Sequence, residues 1–529
     1  MSVLPFLVIA VGAATVATLG RRWRTASLVV GLAGLVAATV AALEIRAGDA
    51  LTIGGGTIVG NEYARLFLVL GCGSAVLLAL VGAATLTQRD LPAAALAMFG
   101  AAGLALAAAE PLSAIAVTIA GSLVGILVTI APPITGRTGV VAGRELRAIA
   151  VAGVVALAAT AWIAALGSPR TADAVFGLAY LALAVAVALR FGAIPFHLWA
   201  TRLADTVSEL ALPLLMAWLP SALAVVALGW VDTAVAPLAV PLETERGVLV
   251  AIALATLLLG SFAAAVQDDL RHVVGYSIVQ DAGFILLGLS ILDPAAWEPA
   301  RTWVLVYCLV KTAFAAWALA VRTAYGTRQL GELSGWARRS PPLAVALVVI
   351  VAATIGWPGL LAYEARGTLV DLAFDGPVGA VAYLGGISAL LYYGRVLAIG
   401  LGRESGLVRS GTDWWPRRAE PAVTSTEPPD PVVPAWRRRR GQSRAAGIRA
   451  TWAANRAPAA AGFVLVLAVV AFAGAAGALG IAEAARGLPP AAGVPGEAPP
   501  DVGPGVEGPG ASPVPGASTG PSFQPLPSP

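Results

Sequence analysis

The only lysine in this 529-residue chain, Lys311, lies inside the apolar run Trp303-Val-Leu-Val-Tyr-Cys-Leu-Val-Lys311-Thr-Ala-Phe-Ala-Ala-Trp317, and every other strong base is arginine. A guanidinium stays protonated at physiological pH, whereas a lysine amine moved into a low dielectric can release its proton at moderate cost. A solitary titratable amine at membrane depth therefore points to proton handling, because ionisable groups inside spans are expensive and mark function. The bland alternative is a gene biased towards arginine codons that spared one lysine by chance.

A carboxylate stands ready to answer that amine. In Asp268-Asp269-Leu270-Arg271-His272 the acids suit the N-terminus of a helix at the membrane surface, but Asp281 follows about three turns further into the same apolar run. An unpaired carboxylate is costly there, so Asp281 must be protonated or paired. Lys311 on the next helix is the candidate partner, and a simple hydrogen bond to a neighbouring helix is the competing reading.

Two further stretches interrupt apolar runs. In Arg190-Phe191-Gly192-Ala193-Ile194-Pro195-Phe196-His197-Leu198-Trp199, proline removes a backbone hydrogen bond and disfavours helix in the residue before it, so a helix ends or breaks near Pro195. A second break is expected at Ile355-Gly356-Trp357-Pro358-Gly359, with Glu364 and Arg366 following inside a long span. An isolated proline can mean no more than a kink. Arg190 and Arg366, however, each need a counter-charge, water or a cavity, and broken helices at membrane depth are tolerated where they line a polar cavity. The two breaks are candidates for partner elements of an internal inverted repeat, as in many transporters.

The elements that must carry these residues are membrane helices. An apolar fraction of 58%, a charged fraction of 12% and a mean hydropathy of +0.82 exclude an ordinary soluble domain. With about 20 apolar residues per crossing, the chain reads as an all-α, polytopic membrane protein of about fourteen spans. They fall near residues 2–20, 25–45, 64–86, 91–109, 111–132, 148–167, 173–196, 209–230, 248–267, 270–291, 302–321, 342–370, 378–402 and 458–485. The first span is followed, not preceded, by Arg21, Arg22 and Arg24, the reverse of a cleavable signal peptide, so it is expected to stay attached. Arginines gather in alternate loops (21–24, 137–147, 322–339 and 403–456), and the intervening loops are neutral or acidic. By the positive-inside rule, both termini lie outside a multi-pass protein of the cell membrane. Cys72 and Cys308 both fall within spans, which excludes a disulfide framework or a thiolate metal site, and no metal site is expected.

The core of about thirteen spans thus covers residues 1–402, with a last span at 457–486. Between them, residues 403–456 carry eleven arginines against five acids, a net +6. This basic cytoplasmic loop is expected to sit near anionic headgroups of the lipid bilayer or an acidic partner subunit. Nothing resembles a base-reading fold, so no nucleic-acid partner is expected. Residues 487–529, rich in Pro, Gly and Ser, read as a disordered tail.

Taken together and in this order, these stretches resemble the antiporter-like proton-translocating subunits of respiratory complex I, an NADH-quinone oxidoreductase, and most of all its subunit N. Arg190 to Trp199 is similar to the family's Lys-x-Gly-Ala-x-Pro-Phe-His-x-Trp break, and Asp269 to Phe284 to its Asp-x-Lys-Arg-x-x-Ala-Tyr-Ser-Ser-x-x-Gln-x-Gly-Tyr stretch. Tyr307 to Lys311 resembles its His-x-x-x-Lys motif, and Glu332 to Pro341 its Asp-Leu-Gly-Gly-Leu-Ala-Arg-Arg-x-Pro loop. The resemblance spans roughly residues 50–400. It implies a central row of buried charges, with Lys311 on one family lysine, Arg366 on or near another and Arg190 on the lysine before the first break. The chain departs from the pattern where the family glutamate would fall, near Ala120 or Gly121, and where the lysine of the next span would fall, near Pro220 or Ser221.

The resemblance implies a membrane subunit that moves protons along a path of Lys311, Asp281, Arg190, His197, Glu364 and Arg366, in the company of other membrane subunits of a respiratory complex. Quinone, flavin and iron–sulfur centres are expected only in partner subunits, since this chain has no glycine fingerprint for a nucleotide and no cysteine cluster. The alternatives are a degenerate, non-pumping structural subunit, a cation/proton antiporter and a membrane hydrogenase subunit.

Overall fold

Within lipid, every backbone N–H and C=O must be satisfied inside the chain, and helices do this segment by segment. The computed structural model describes residues 2–53, 56–85, 91–130, 136–166, 173–232, 242–373, 377–402 and 445–487. They form, in order, α1 (Val3–Leu19), α2 (Arg24–Leu43), β1 (Ala50–Ile53), β2 (Gly56–Val59), α3 (Glu62–Thr85), α4 (Leu91–Ala107), α5 (Pro111–Ile130) and α6 (Gly136–Leu166). Next come α7 (Asp173–Phe191), α8 (Leu198–Thr206), a π-helical turn (Leu214–Trp218), α9 (Leu219–Trp230), α10 (Glu243–Ala265), α11 (Leu270–Ser290) and α12 (Trp297–Tyr325). The short α13 (Trp336–Arg339) leads to α14 (Pro341–Ile355), α15 (Leu361–Ala373), α16 (Pro377–Ile387), α17 (Ala389–Leu401), α18 (Ala445–Ala475) and α19 (Ile481–Arg486).

Among the described residues, eight segments are long and apolar enough to cross a membrane, and six shorter apolar helices complete fourteen, one for each apolar run of the sequence. The chain is an all-α polytopic membrane protein with one small exception. β1 and β2 form an antiparallel hairpin, with Ala50 opposite Val59 and Ile53 opposite Gly56. The β-branched Thr52, Ile53, Thr57, Ile58 and Val59 around a glycine turn account for it, and Ala109 N–H donates to the Thr57 carbonyl at 2.9 Å. At the other end of the chain, α18 begins at Ala445, so the end of the segment expected to be a basic loop is helical. The rest of that loop, 403–444, and the tail beyond Gly487 lie outside the described residues.

Both expected breaks are present. α7 ends at Phe191 and α8 starts at Leu198, with a cis Ile194–Pro195 bond between them; α14 ends at Ile355 and α15 starts at Leu361, across Pro358. Each break turns on a glycine in the left-handed region, Gly192 at φ +66° and Gly356 at φ +67°. A Cβ on Gly192 would stand 2.6 Å from the Ala200 Cβ, and one on Gly356 would stand 2.8 Å from the Tyr363 nitrogen.

Polar contacts tie the ends of the helices into two opposite faces. On one, Arg46 N–H donates to the Ser2 hydroxyl, Asn61 Nδ2 to the Leu106 carbonyl and Tyr63 Oη to the Arg301 carbonyl, while Arg486 pairs with Glu298. On the other, Arg328 pairs with Asp269, Arg395 with Asp268 and Arg322 with Glu209. Deepest inside runs α12, packed against α3, α11, α14, α15 and α18. It is buried without interruption from Ala300 to Val321, so no face of it meets lipid over that length.

Strain and crowding coincide at the second break. Gly356→Ala is expected to cost about 1–3 kcal/mol, seen as a lower thermal unfolding midpoint of the detergent-solubilised protein. An unchanged midpoint would mean that this turn tolerates a side chain.

Candidate functional site: a buried ion pair between two helix breaks

Lys311 sits at the centre of α12, fourteen residues from Trp297 and fourteen from Tyr325, and Asp281 lies near the middle of the neighbouring α11. The Lys311 Nζ approaches Asp281 Oδ2 to 2.6 Å, with side chains 0% and 1% exposed. The contact is a close ion pair without hydrogen-bond alignment, and neither group has a hydrogen-bond partner among the described residues. At an effective dielectric of ~20 the attraction is about 6 kcal/mol, set against a desolvation penalty of several kcal/mol per ion. The two effects nearly cancel, which leaves a pair that small changes in its surroundings can tip.

Aromatic and hydroxyl side chains fix the backbones on either side. Trp303 Nε1 donates to the Asp281 carbonyl at 3.2 Å, and Tyr307 Oη donates to the Ile278 carbonyl at 3.1 Å. Trp218 Nε1 donates to Thr312 Oγ1 at 2.9 Å, and Thr312 in turn donates to the Cys308 carbonyl. The Lys311 Nζ lies 6.0 Å from the centre of the Tyr393 ring, whose hydroxyl is 3.4 Å from Thr354 Oγ1. Thr354 is in the last turn of α14, at the second break.

Arg366 is bound into that break. Its Nη1 donates to the Thr354 carbonyl at 2.7 Å and its Nη2 to the Ile355 carbonyl, the last two carbonyls of α14. A helix C-terminus carries partial negative charge and orphan carbonyls, so a buried cation there satisfies both. Arg190, on the last turn of α7, donates to the Leu215 carbonyl at 3.1 Å and lies 3.4 Å from Ser122 Oγ. Leu215 belongs to the π-helical turn, and the residue five further on, which would serve its carbonyl in π geometry, is Pro220, which has no N–H. Arginine fills that gap.

The other expected path residues are placed differently. Glu364 lies on the exposed side of α15, not in a buried row, because the helix turns Arg366 inward and carries the residue two positions earlier to the outside. His197 is half-buried at the start of α8, its ring 6.4 Å from that of Tyr276, and makes no described contact with Lys311 or Asp281. Pro195 and Pro358 mark the breaks as expected. No cluster of metal-ligating side chains occurs among the described residues.

Sequence reasoning missed the partners of the two other cations on the same helix as Lys311. Arg301 pairs with Asp232 at 3.2 Å and Arg322 with Glu209 at 3.0 Å, so α12 carries three cations, each met by an acid from a different segment. Arg301 and Asp232, and Arg322, look like loop charges in the sequence. The signal that could have found them is the spacing 301, 311, 322 of three bases along one continuous apolar helix.

Among the described residues, fourteen apolar helices, two of them broken beside buried arginines, thus enclose a lysine at mid-helix. A family model described as "NADH:quinone oxidoreductase/Mrp antiporter, TM" matches residues 149–391. The NADH-quinone oxidoreductase subunit N of Mycobacterium sp. is 30% identical over 334 residues, 61% of this chain and 66% of that one. That of Laribacter hongkongensis is 26% identical over 216 residues, 40% and 44% of the two chains, so the match spans less than half of its length. Among solved structures, a chain of respiratory complex I from Thermus thermophilus superposes with a TM-score of 0.63 at 18% identity, covering 88% of this chain and 97% of that one. A chain of the Mrp complex from Dietzia sp. does so with a TM-score of 0.64 at 21% identity, covering 93% and 97%. Over residues 149–391 the chain therefore matches the family of NADH:quinone oxidoreductase and Mrp antiporter membrane subunits.

Removing one member of a buried pair leaves an uncompensated charge, which costs about 3–5 kcal/mol, whereas replacing both with apolar residues is close to neutral. Asp281→Ala should therefore lower the thermal midpoint in detergent, and Asp281→Leu combined with Lys311→Met should recover most of it. A single substitution as stable as the parent would argue against a charged pair.

Proposed function

We propose that this chain is a proton-translocating membrane subunit of a multisubunit respiratory complex, in which the Lys311–Asp281 pair is the central proton-binding site. The observation that carries the reading is the pair itself: the one lysine of the chain, at the midpoint of a fully enclosed helix, 2.6 Å from a carboxylate of the next helix. The match of residues 149–391 to the NADH:quinone oxidoreductase/Mrp antiporter family model supports it.

The chemistry follows from the pair's net charge. As an ammonium and a carboxylate it is neutral. A proton that reaches it adds to Asp281 Oδ, removes the negative partner and leaves Lys311 as an isolated buried cation, a state of high energy in a low dielectric. Lys311 then relaxes by giving up its own proton, which leaves a neutral amine beside a neutral acid. Transfer of the carboxyl proton back to the amine restores the ion pair, and one proton has passed through. Arg190 and Arg366 take no part as carriers, because a guanidinium does not deprotonate. Arg190 is held to the Leu215 carbonyl of the π-helical turn and Arg366 to the last carbonyls of α14, and both act as fixed charges that raise the cost of a second positive charge at the centre. The broken helices α7–α8 and α14–α15 serve as the paired elements of an internal repeat, one on each side of the pair. The face that gathers Ser2 and Arg486 is outside, in keeping with the arginine-rich loops of the opposite face. The redox centres belong to partner subunits.

A second reading, a structural subunit that does not pump, draws support from the absence of a carboxylate at Ala120 or Gly121 and of a lysine at Pro220 or Ser221. One experiment separates the two. The complex purified with Lys311→Arg or Asp281→Asn is reconstituted into liposomes, and acidification is followed with a pH-sensitive dye during turnover. Proton movement should fall at least tenfold while the subunits still co-purify. Wild-type acidification with both variants would favour the structural role.

A further inference from the structure

A recess opens sideways beside the second break. Its volume is about 520 Å³, and Val351, Ile355, Trp357, Ile387 and Leu390 wall it, with Arg366 inside. Trp357, Ile387 and Leu390 are 73%, 49% and 45% exposed, so the mouth faces the lipid-facing side of the bundle. Arg366 is only 7% exposed and lies against the rings of Phe284 and Trp303, 4.9 and 5.2 Å from their centres.

Its charge is not neutralised within the described residues. Two of its nitrogens are spent on the Thr354 and Ile355 carbonyls, and Nε has no partner. The acids nearby are engaged or turned away: Asp281 holds Lys311, Asp371 accepts from the Tyr383 hydroxyl, and Glu364 is exposed. The recess therefore combines apolar walls with one permanent cation, the pattern of a small-molecule site. Its volume lies within the roughly 300–1,000 Å³ of such sites. A helix ~10–12 Å across would fill it in about one turn, so a transmembrane helix of a partner does not seat in it, whereas a flexible hydrocarbon chain does.

We propose that this recess binds a long-chain carboxylate drawn from the bilayer. The carboxylate makes charge-assisted hydrogen bonds to the free N–H edge of Arg366, and the hydrocarbon tail runs along the apolar walls out past Trp357. The Lys311–Asp281 pair takes no part in this site, although a carboxylate there offsets the fixed charge that Arg366 contributes beside the pair; binding is therefore read at rest, apart from proton movement.

The test uses the full-length protein in nanodiscs of neutral lipid, at rest, with a palmitate analogue carrying a photoreactive diazirine near its tail. Cross-linked peptides should map to the α14–α15 break and to the α16–α17 region around Ile387. Palmitate should suppress labelling, and hexadecanol, which has the same chain without the charge, should not. Arg366→Gln should reduce labelling at least tenfold. Should that variant fail to fold because α14 loses its cap, Ala352→Phe, which fills the recess and leaves the guanidinium in place, should give the same loss. The proposal is overturned by equal competition from hexadecanol, by equal competition from phosphatidylglycerol, or by labelling that neither substitution changes.

Discussion

The cost of holding charge away from water governs this molecule. A lone amine at the centre of an enclosed helix can persist only if something nearby answers it, and Asp281 does so from α11 at 2.6 Å. That one contact fixes the relative depth of α11 and α12. A shift of either helix by a turn, about 5.4 Å, would leave two unpaired ions in a low dielectric. The aromatic residues around the pair hold this register from the sides, Trp303 on the Asp281 carbonyl and Tyr307 on that of Ile278.

The same constraint explains how the chain uses arginine. Where a helix stops inside the bundle or at its edge, its last carbonyls need donors, and here a guanidinium repeatedly supplies them. Arg366 serves the end of α14, Arg395 the Ala265 and Gln267 carbonyls after α10, Arg246 the Ser290 carbonyl at the end of α11, and Arg271 the Val207 carbonyl after α8. Several of these residues look in the sequence like loop charges or carriers. In the fold they are pins, and a group that never loses its proton suits a pin better than a carrier.

Much of the architecture was legible because lipid makes sequence simple: every crossing must be a helix of nearly fixed length, so fourteen apolar runs correspond to fourteen apolar helices among the described residues. The breaks at Pro195 and Pro358 were legible for a local reason, the missing N–H of proline. Pairing was only partly legible. Asp281 and Lys311 could be matched because both lie mid-span on consecutive helices. The spacing of Arg301, Lys311 and Arg322 marks the three cations, but their partners Asp232 and Glu209 lie on segments far apart in sequence, so spacing alone does not name them. Glu364 illustrates the opposite error, since proximity to a break does not reveal which way a helix face turns. The hairpin at Ala50–Val59 was hidden by its brevity within an otherwise helical reading.

The three cations of α12 also bear on how the chain is built. A segment with Arg301, Lys311 and Arg322 would meet a penalty of roughly 2.5–3.5 kcal/mol for a single cation near its centre if it entered lipid alone. Glu209, Asp232 and Asp281 all come earlier in the chain. A ribosome working from the N-terminus has therefore already delivered an acid for each of these three cations before α12 emerges, and the order of the sequence doubles as an order of assembly.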